Sequence, residues 1–501
     1  MTDPNLLYYG DNLEVLRDHV TKESVDLVYL DPPFNSNTAY NVFFPEKGGM
    51  QSAAQIQVFE DTWVWTDKAE QAYKELVTLG DQVSLAMLGF RTLLKERNLM
   101  AYLAMMAPRL VMLRSVLKST GSIYLHCDPT ASHYLKVLMD AIFGPENFRS
   151  EIVWRRTGAH GKTRRYGPIH DTILFYTKST SYRWNSPTRP YMRGHVEEYF
   201  VHDEKGWRTA YYGNVLTGSG LRGGESGKPW HGFDPSAKGR HWAIPGGLIE
   251  DLEEDVAGLG QHQKLDLLLA HGHIKITPGQ AWPMYERYLK PSDGMPVPDI
   301  WAFQPYTEGT VFGTNEGIDK DVRWLSPKDQ ERLSYPTQKP LALLQRILAA
   351  SSNPGDIVLD PFCGCGTTID AAQRMGRRWI GIDITHLAVS LIKKRLLDAY
   401  GEGVAKTYRV IGEPKDLESA KALAAQDKYQ FQYWVIGEVL GWPVEQKKGA
   451  DKGIDGRVYF FDEASSSKSK QVIISVKGGH TGVQDIRDLR GVLDREKAQI
   501  G

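Results

Sequence analysis

Two short segments carry residue types able to do chemistry, Asp31-Pro32-Pro33-Phe34 and Asp360-Pro361-Phe362-Cys363-Gly364-Cys365-Gly366-Thr367-Thr368. The first offers a carboxylate, a turn stiffened by two prolines and an aromatic face. Pyrrolidine rings fix the backbone, so the carboxylate and a neighbouring carbonyl are preorganised as acceptors. The second is rich in glycine. Gly364 and Gly366 let the backbone come close to a ligand where a side chain would block it.

Each segment must be held at the end of a strand. Val25-Asp26-Leu27-Val28-Tyr29-Leu30 runs into Asp31, and Asp356-Ile357-Val358-Leu359 runs into Asp360. Asp383 closes a further strand, Trp379-Ile380-Gly381-Ile382, at about the distance where dinucleotide folds put an acid on ribose hydroxyls. Tyr8-Tyr9-Gly10-Asp11-Asn12-Leu13 leads into a short helix, and a polar, irregular stretch is expected up to about residue 95. Apolar spacing predicts a helix from Tyr102 to Leu117 and another from Ala131 to Phe143. Gly121 to Asp128, Glu151 to Trp154 and Thr172 to Thr177 read as strands. Alternating strands and helices point to an α/β sheet of parallel strands. After about residue 180 the periodicity fails, and a Gly-, Pro-, Arg- and Trp-rich stretch is read as an inserted domain. So long an irregular region is unusual unless functional or disordered, and its tryptophans speak against disorder.

The bulk numbers are compatible with this reading without deciding it. A chain of 501 residues exceeds one ordinary core. Hydrophobic content of 41% and charged content of 24% belong to a soluble globular protein. No signal peptide or membrane-spanning run is read, and a cytoplasmic setting without membrane partners is expected. Three cysteines, Cys127, Cys363 and Cys365, make no disulfide framework, and the C-x-C pair lacks the further ligands a zinc site requires. No metal is expected. Net charge of −1 does not advertise nucleic-acid binding. The local run from Arg155 to Arg165 is nevertheless free of acids. Arg155, Arg156, Lys162, Arg164 and Arg165 could neutralise phosphates, or could form an ordinary solvated loop. The acidic run Ile249 to Asp255 reads as a solvated helix face.

The paired segments, with the Asp31 segment first, resemble the catalytic and cofactor motifs of β-group DNA amino-methyltransferases, adenine-N6 type, related to type III modification subunits. The resemblance covers about residues 5–180 and 333–400. It implies a Rossmann-like methyltransferase sheet with an inserted target recognition domain, and S-adenosyl-L-methionine as cofactor. Asp31, Pro32 and Phe34 would be catalytic: acceptors at an exocyclic amine and a ring to stack on a base flipped from double-stranded DNA. Asp11, Thr337, Lys339, Asp360, Phe362, Gly364, Gly366, Thr367 and Asp383 would bind the cofactor. Within the family, Asp rather than Ser at the first position favours adenine N6 over cytosine N4. The His126-Cys127-Asp128 run is assigned no direct chemistry.

The boundaries expected are a catalytic half at 1–180, a recognition insert at 181–325, a cofactor half at 326–412, a linker at 413–428 and a C-terminal segment at 429–501. That last segment resembles a PD-(D/E)xK nuclease core of the Mrr-like kind, with Asp455 and Lys477 matching. Ser475 stands where an acid or Gln is usual, and the core is expected to be degenerate or cut short. Double-stranded DNA is the expected partner, with a homodimer and a restriction subunit as further associations. A cytosine-N4 enzyme and a fused modification-restriction enzyme are the alternative readings.

Overall fold

The computed structural model describes residues 4–33, 40–43, 55–59, 65–158, 164, 166–204, 206–209, 214–250, 252, 255–279, 282–285, 288–290, 293–333, 335, 337–440, 454–460 and 469–501. Phe34, Lys162 and Arg165 lie outside them. The chain divides into two compact units. One holds residues 1–187, 298–303 and 321–501, and the other holds 188–297 and 304–320.

The first unit is built on a nine-stranded sheet. Its strands in chain order are β1 (Asn5–Tyr9), β2 (Val25–Leu30), β3 (Leu117–Cys127), β4 (Phe148–Arg155), β5 (His170–Thr177), β6 (Ile300–Trp301), β7 (Ile357–Asp360), β8 (Arg378–Asp383) and β9 (Tyr408–Ile411). Their spatial order is β6-β4-β5-β3-β2-β7-β8-β1-β9. The expectation of parallel strands needs correction. β5 runs antiparallel to both β3 and β4, while the other pairs are parallel. Antiparallel β5 follows β4 directly in the chain through the 156–169 connection, and the two pair side by side as a hairpin-like unit.

Every residue of β2 is buried, as expected for a strand covered on both faces, and its one acid, Asp26, pairs with Lys118 at 2.8 Å. The stretch before residue 95 is not irregular throughout. The short helix expected after Tyr8 is α1 (Asn12–Asp18), and the stretch beyond β2 contains helices α2 (Asp67–Thr78) and α3 (Gln82–Leu94), capped by Thr66 and Asp81. α2 holds few large apolar residues, and α3 carries leucines on its exposed face as well as its buried one. Helix α4 (Asn98–Val116) is long and apolar enough to cross a membrane, but Met100, Tyr102, Leu103, Met106, Leu110 and Leu113 are fully buried in the core of this unit. The apolar layer between α4, α5 (Ser132–Phe143) and the sheet therefore accounts for that composition.

The sequence order of neighbours reverses between β2 and β7. From β2 the chain passes to β3 on one side, and from β7 to β8 on the other. A crevice opens outside the carboxyl ends of strands at such a reversal. Asp31 and Asp360 both sit at that edge.

The second unit has its own core of Leu216, Trp230, Trp242, Leu248, Leu252, Leu265, Leu268 and Ile274. Trp242 is buried, its ring 5.7 Å from that of Trp230 and 6.1 Å from that of Trp282. Its indole donates to the Lys228 carbonyl at 2.8 Å. Of the acidic run, Asp251, Glu253 and Glu254 lie outside the described residues; among the described ones a helix spans Gly246–Glu250, and Leu248 and Leu252 pack into this core.

Candidate active site

A cavity of about 320 Å³ opens at the edge where β2 and β7 end. It is large enough for a small cofactor. Its walls come from four stretches far apart in sequence: Gly10 to Asn12, Tyr29 to Pro33, Thr337 to Lys339, and Asp360 to Cys365. Met105 and Arg109 of α4, Asp383 at the end of β8 and Ile384 beyond it also line the cavity, with Tyr335, Leu344, Thr367 and Thr368. Asp31, Pro32 and the proposed cofactor residues Asp11, Thr337, Lys339, Asp360, Phe362, Gly364, Thr367 and Asp383 all line this one space.

The glycine turn owes its shape to backbone freedom. Gly364 has φ +48° and Gly366 φ +76°, conformations that side chains disfavour. A Cβ on Gly364 would meet the Tyr335 ring at 3.3 Å, and one on Gly366 would meet Ile392 at 2.6 Å. Gly366 caps helix α6 (Thr367–Arg374), whose first-turn Thr367 accepts from Arg395 at 2.9 Å.

Two buried acids face the cavity. Asp360 accepts from the Phe362 amide at 3.0 Å. Burial is the main reason its carboxyl is pushed up to about 7, against the stabilising bonds from Thr368 and Phe362. Burial also raises Asp383, although Thr385 and the Gly364 amide donate to it. The Gly364 bond, at 2.9 Å, ties the glycine turn to the end of β8.

Asp11 caps α1 by accepting from the Leu13 amide at 2.8 Å, and pairs with Arg109 at 2.7 Å. Arg109 also donates to Asn12 at 2.6 Å, and Asn12 donates to the Pro361 carbonyl at 2.8 Å. Burial lowers the pKa of this guanidinium, and Asp11 counters that. Sequence reasoning missed Arg109. The available signal was a cation following Pro108 inside an otherwise apolar helix.

Lys339 was expected at the cofactor, and its ammonium lies against the Asp31 carboxylate as a hydrogen-bonded ion pair. Behind the same turn, Tyr29 bonds His126 Nδ1 at 2.9 Å, and His126 Nε2 meets Asp171 at 3.2 Å. All three are buried. Burial works against the Asp171 carboxylate, but the His126 bond and the charges of His126, Lys339 and Arg156 hold its pKa below the usual range. His126 thus serves the wall of the site, although it was given no chemistry from sequence. The signal was a histidine at the end of the Ile123-Tyr124-Leu125 run, which needs partners when buried.

The basic loop is less free than its composition suggests. Arg155 donates to the Phe303 carbonyl at 3.1 Å and lies over the Trp324 ring. Arg156 sits 2.9 Å from Asp171. Arg164 is exposed.

Residues 25–394 match the family described as DNA methylase. The chain belongs to that family. This DNA methylase is 28% identical over 396 residues to the type II methyltransferase M.EcaI of Enterobacter cloacae, covering 78% of this chain and 69% of that one. It is 27% identical over 379 residues to the Mod subunit of the type III restriction-modification enzyme StyLTI of Salmonella typhimurium, covering 74% of this chain and 50% of that one. Over 93 residues it is 47% identical to the DNA adenine methyltransferase YhdJ of Escherichia coli, 19% of this chain and 30% of the other. The enzyme is an S-adenosylmethionine-dependent DNA methyltransferase. The cavity fits that cofactor: two buried carboxyl groups on its wall would accept from the cofactor's ammonium and hydroxyl groups, and the glycine turn leaves a cradle that side chains would fill.

Proposed function

We propose that this DNA methylase transfers a methyl group to the N6 amine of an adenine flipped out of double-stranded DNA, within a restriction-modification setting. What carries the reading is that the Asp31-Pro32 turn and the glycine turn after Asp360 wall one cavity. An exocyclic amine is a poor nucleophile because its lone pair is delocalised into the ring. The Asp31 carboxylate and the Pro32 carbonyl would accept its hydrogens, favouring a pyramidal nitrogen and stabilising the positive charge that develops there. Phe34 would stack on the flipped base. The bound cofactor supplies an electrophilic methyl group on a sulfonium. Asp360 and Asp383 would hold its amino-acid and ribose ends, Asp11 would lie near its adenine, and Phe362 would cover an apolar side. Attack would be direct, without a covalent intermediate on the protein: the nitrogen would bond the methyl carbon as its bond to sulfur breaks, leaving a neutral thioether, and one amine proton would be lost to water.

Replacing Asp31 with Ala is expected to abolish methyl transfer while calorimetric cofactor binding persists. Full activity in that variant would sink the mechanism. Adenine rather than cytosine is supported by Asp at the first motif position and by the adenine specificity in the name of YhdJ. Nucleoside analysis of methylated DNA distinguishes N6-methyladenine from N4-methylcytosine. The restriction setting, and association with a restriction subunit, draw support from the names of M.EcaI and the StyLTI Mod subunit. A homodimer belongs to the same proposal, supported by the exposed Leu79, Leu85, Leu88 and Leu93 around α3, and sedimentation would measure it.

The second unit is proposed to choose the target sequence. Exchanging about residues 181–325 with a relative's equivalent should transfer the methylation site. Retention of the original site would move recognition elsewhere, to Arg164 and its neighbours.

The C-terminal segment is proposed to be a degenerate nuclease-like core without robust cleavage. Antiparallel strands Gly456–Phe460 and Lys470–Ile474 and the helix Val483–Glu496 share a small core of Ile454, Ile473 and Val492. Asp455 is buried and accepts from the Val476 amide at 2.6 Å, whereas Lys477 is exposed. Ser475 supplies no carboxylate to complete a metal site. Magnesium-dependent cutting of unmethylated DNA, lost in Asp455→Ala or Lys477→Ala, would overturn this.

A further inference from the structure

We propose that Lys339 is the positioning residue of the catalytic carboxylate: its ammonium fixes one oxygen of Asp31 and leaves the other to the substrate amine. The inference rests on the proposed role of Asp31 and adds a group to it. Asp31 and Lys339 are 308 residues apart in sequence, yet they form an ion pair on the cavity wall. Their side chains are 17% and 10% exposed. A pair so sheltered is screened far less than a surface one.

The lysine is held from behind. Its ammonium also donates to the Thr337 carbonyl at 3.3 Å. Pro340 follows it and caps the helix Leu341–Ser351, restricting the Lys339 backbone. The neighbouring Gln338 side chain accepts from the Leu333 amide and donates to the Glu331 carbonyl, both at 2.8 Å. The Leu341 amide donates to the Glu331 carboxylate at 2.6 Å. This anchorage lets a flexible side chain deliver its charge to one place.

Charge distribution around the cavity points the same way. Asp11, Asp31, Asp360 and Asp383 line it, with Arg109 and Lys339 as the lining cations. Arg109 is matched to Asp11 and Lys339 to Asp31. Asp360 and Asp383, whose hydrogen bonds come from hydroxyls and amides, are the acids left to face a positively charged cofactor. Lys339 therefore marks Asp31 off from the cofactor acids, so that it serves the amine. A compact ammonium suits the task. A guanidinium fork would engage both carboxylate oxygens and leave neither to the substrate.

The test is single-turnover methyl transfer to DNA at saturating labelled cofactor, beside calorimetric cofactor affinity, in the full chain. Lys339→Met is expected to slow the chemical step by about 100-fold, on the scale of losing one preorganised polar group, while the cofactor Kd moves less than about threefold. Lys339→Arg should not recover the rate. Adding ethylammonium to Lys339→Ala should recover part of it, which a purely structural defect would not allow. A wild-type rate in Lys339→Met overturns the proposal. So does a rate loss matched by weakened cofactor binding, which would make Lys339 a cofactor ligand. If Lys339→Met unfolds, Lys339→Gln and the ethylammonium rescue decide in its place, and absence of rescue overturns the proposal. Full activity in Asp31→Ala would remove the underlying role of Asp31, whereas an inactive Asp31→Ala beside a normal Lys339→Met removes only the part given to lysine.

Discussion

Replacing Asp360 with Asn should stabilise the cofactor-free protein, and increasingly so as pH rises. Asp360 is 3% exposed, and burial above all else moves its carboxyl from 3.8 to about 7. Between those values the folded chain keeps a proton that the unfolded chain has released. The folded pKa is the raised one, so the favourable contribution is complete below 3.8 and is lost as pH climbs to about 7. At about 1.4 kcal/mol for each pH unit, the loss is about 1.5 kcal/mol near pH 5 and about 4 kcal/mol near pH 8. Asn keeps an oxygen for the Phe362 amide and has no charge to bury. Its advantage should therefore be small near pH 4 and grow to on the order of 3 kcal/mol near pH 8, after allowance for weaker hydrogen bonds. Urea unfolding of both proteins without cofactor, across that range, measures the difference directly. The cost should appear in function, as a large loss of cofactor affinity near pH 8. A stability difference independent of pH, or a variant less stable than the parent near pH 8, would refute the reasoning.

Gly366→Ala forces a side chain into left-handed backbone and against Ile392 at 2.6 Å. A stability loss of about 1–3 kcal/mol is expected in thermal unfolding, with weaker cofactor binding by calorimetry. Trp242→Ala removes the largest fully buried side chain of the second unit. It should cost that unit about 3–5 kcal/mol, read as faster hydrogen exchange in residues 214–275 while strands β2 and β7 keep their protection.

The sequence by itself determined the local chemistry. A proline-stiffened turn after β2 and a glycine turn after β7 are set by torsional limits within a few residues, so their strands, their turns and the family were legible before any folding. Helix spacing likewise identified α4 and α5. Helices α2 and α3 were not legible: α2 holds few large apolar residues, and α3 carries leucines on its exposed face as well as its buried one, so its apolar residues do not mark a single stripe. Strand direction was decided by tertiary structure: nothing in the residues of β5 distinguishes it from a parallel neighbour. Only the sheet order brings β2 beside β7, and with it Lys339 to Asp31 across 308 intervening residues. The Tyr29–His126–Asp171 chain is similar, since it steps diagonally across β2, β3 and β5. Side chains so distant carry no mutual period or spacing. Their partnership is a property of strand register, and register is fixed by the packing of the whole sheet.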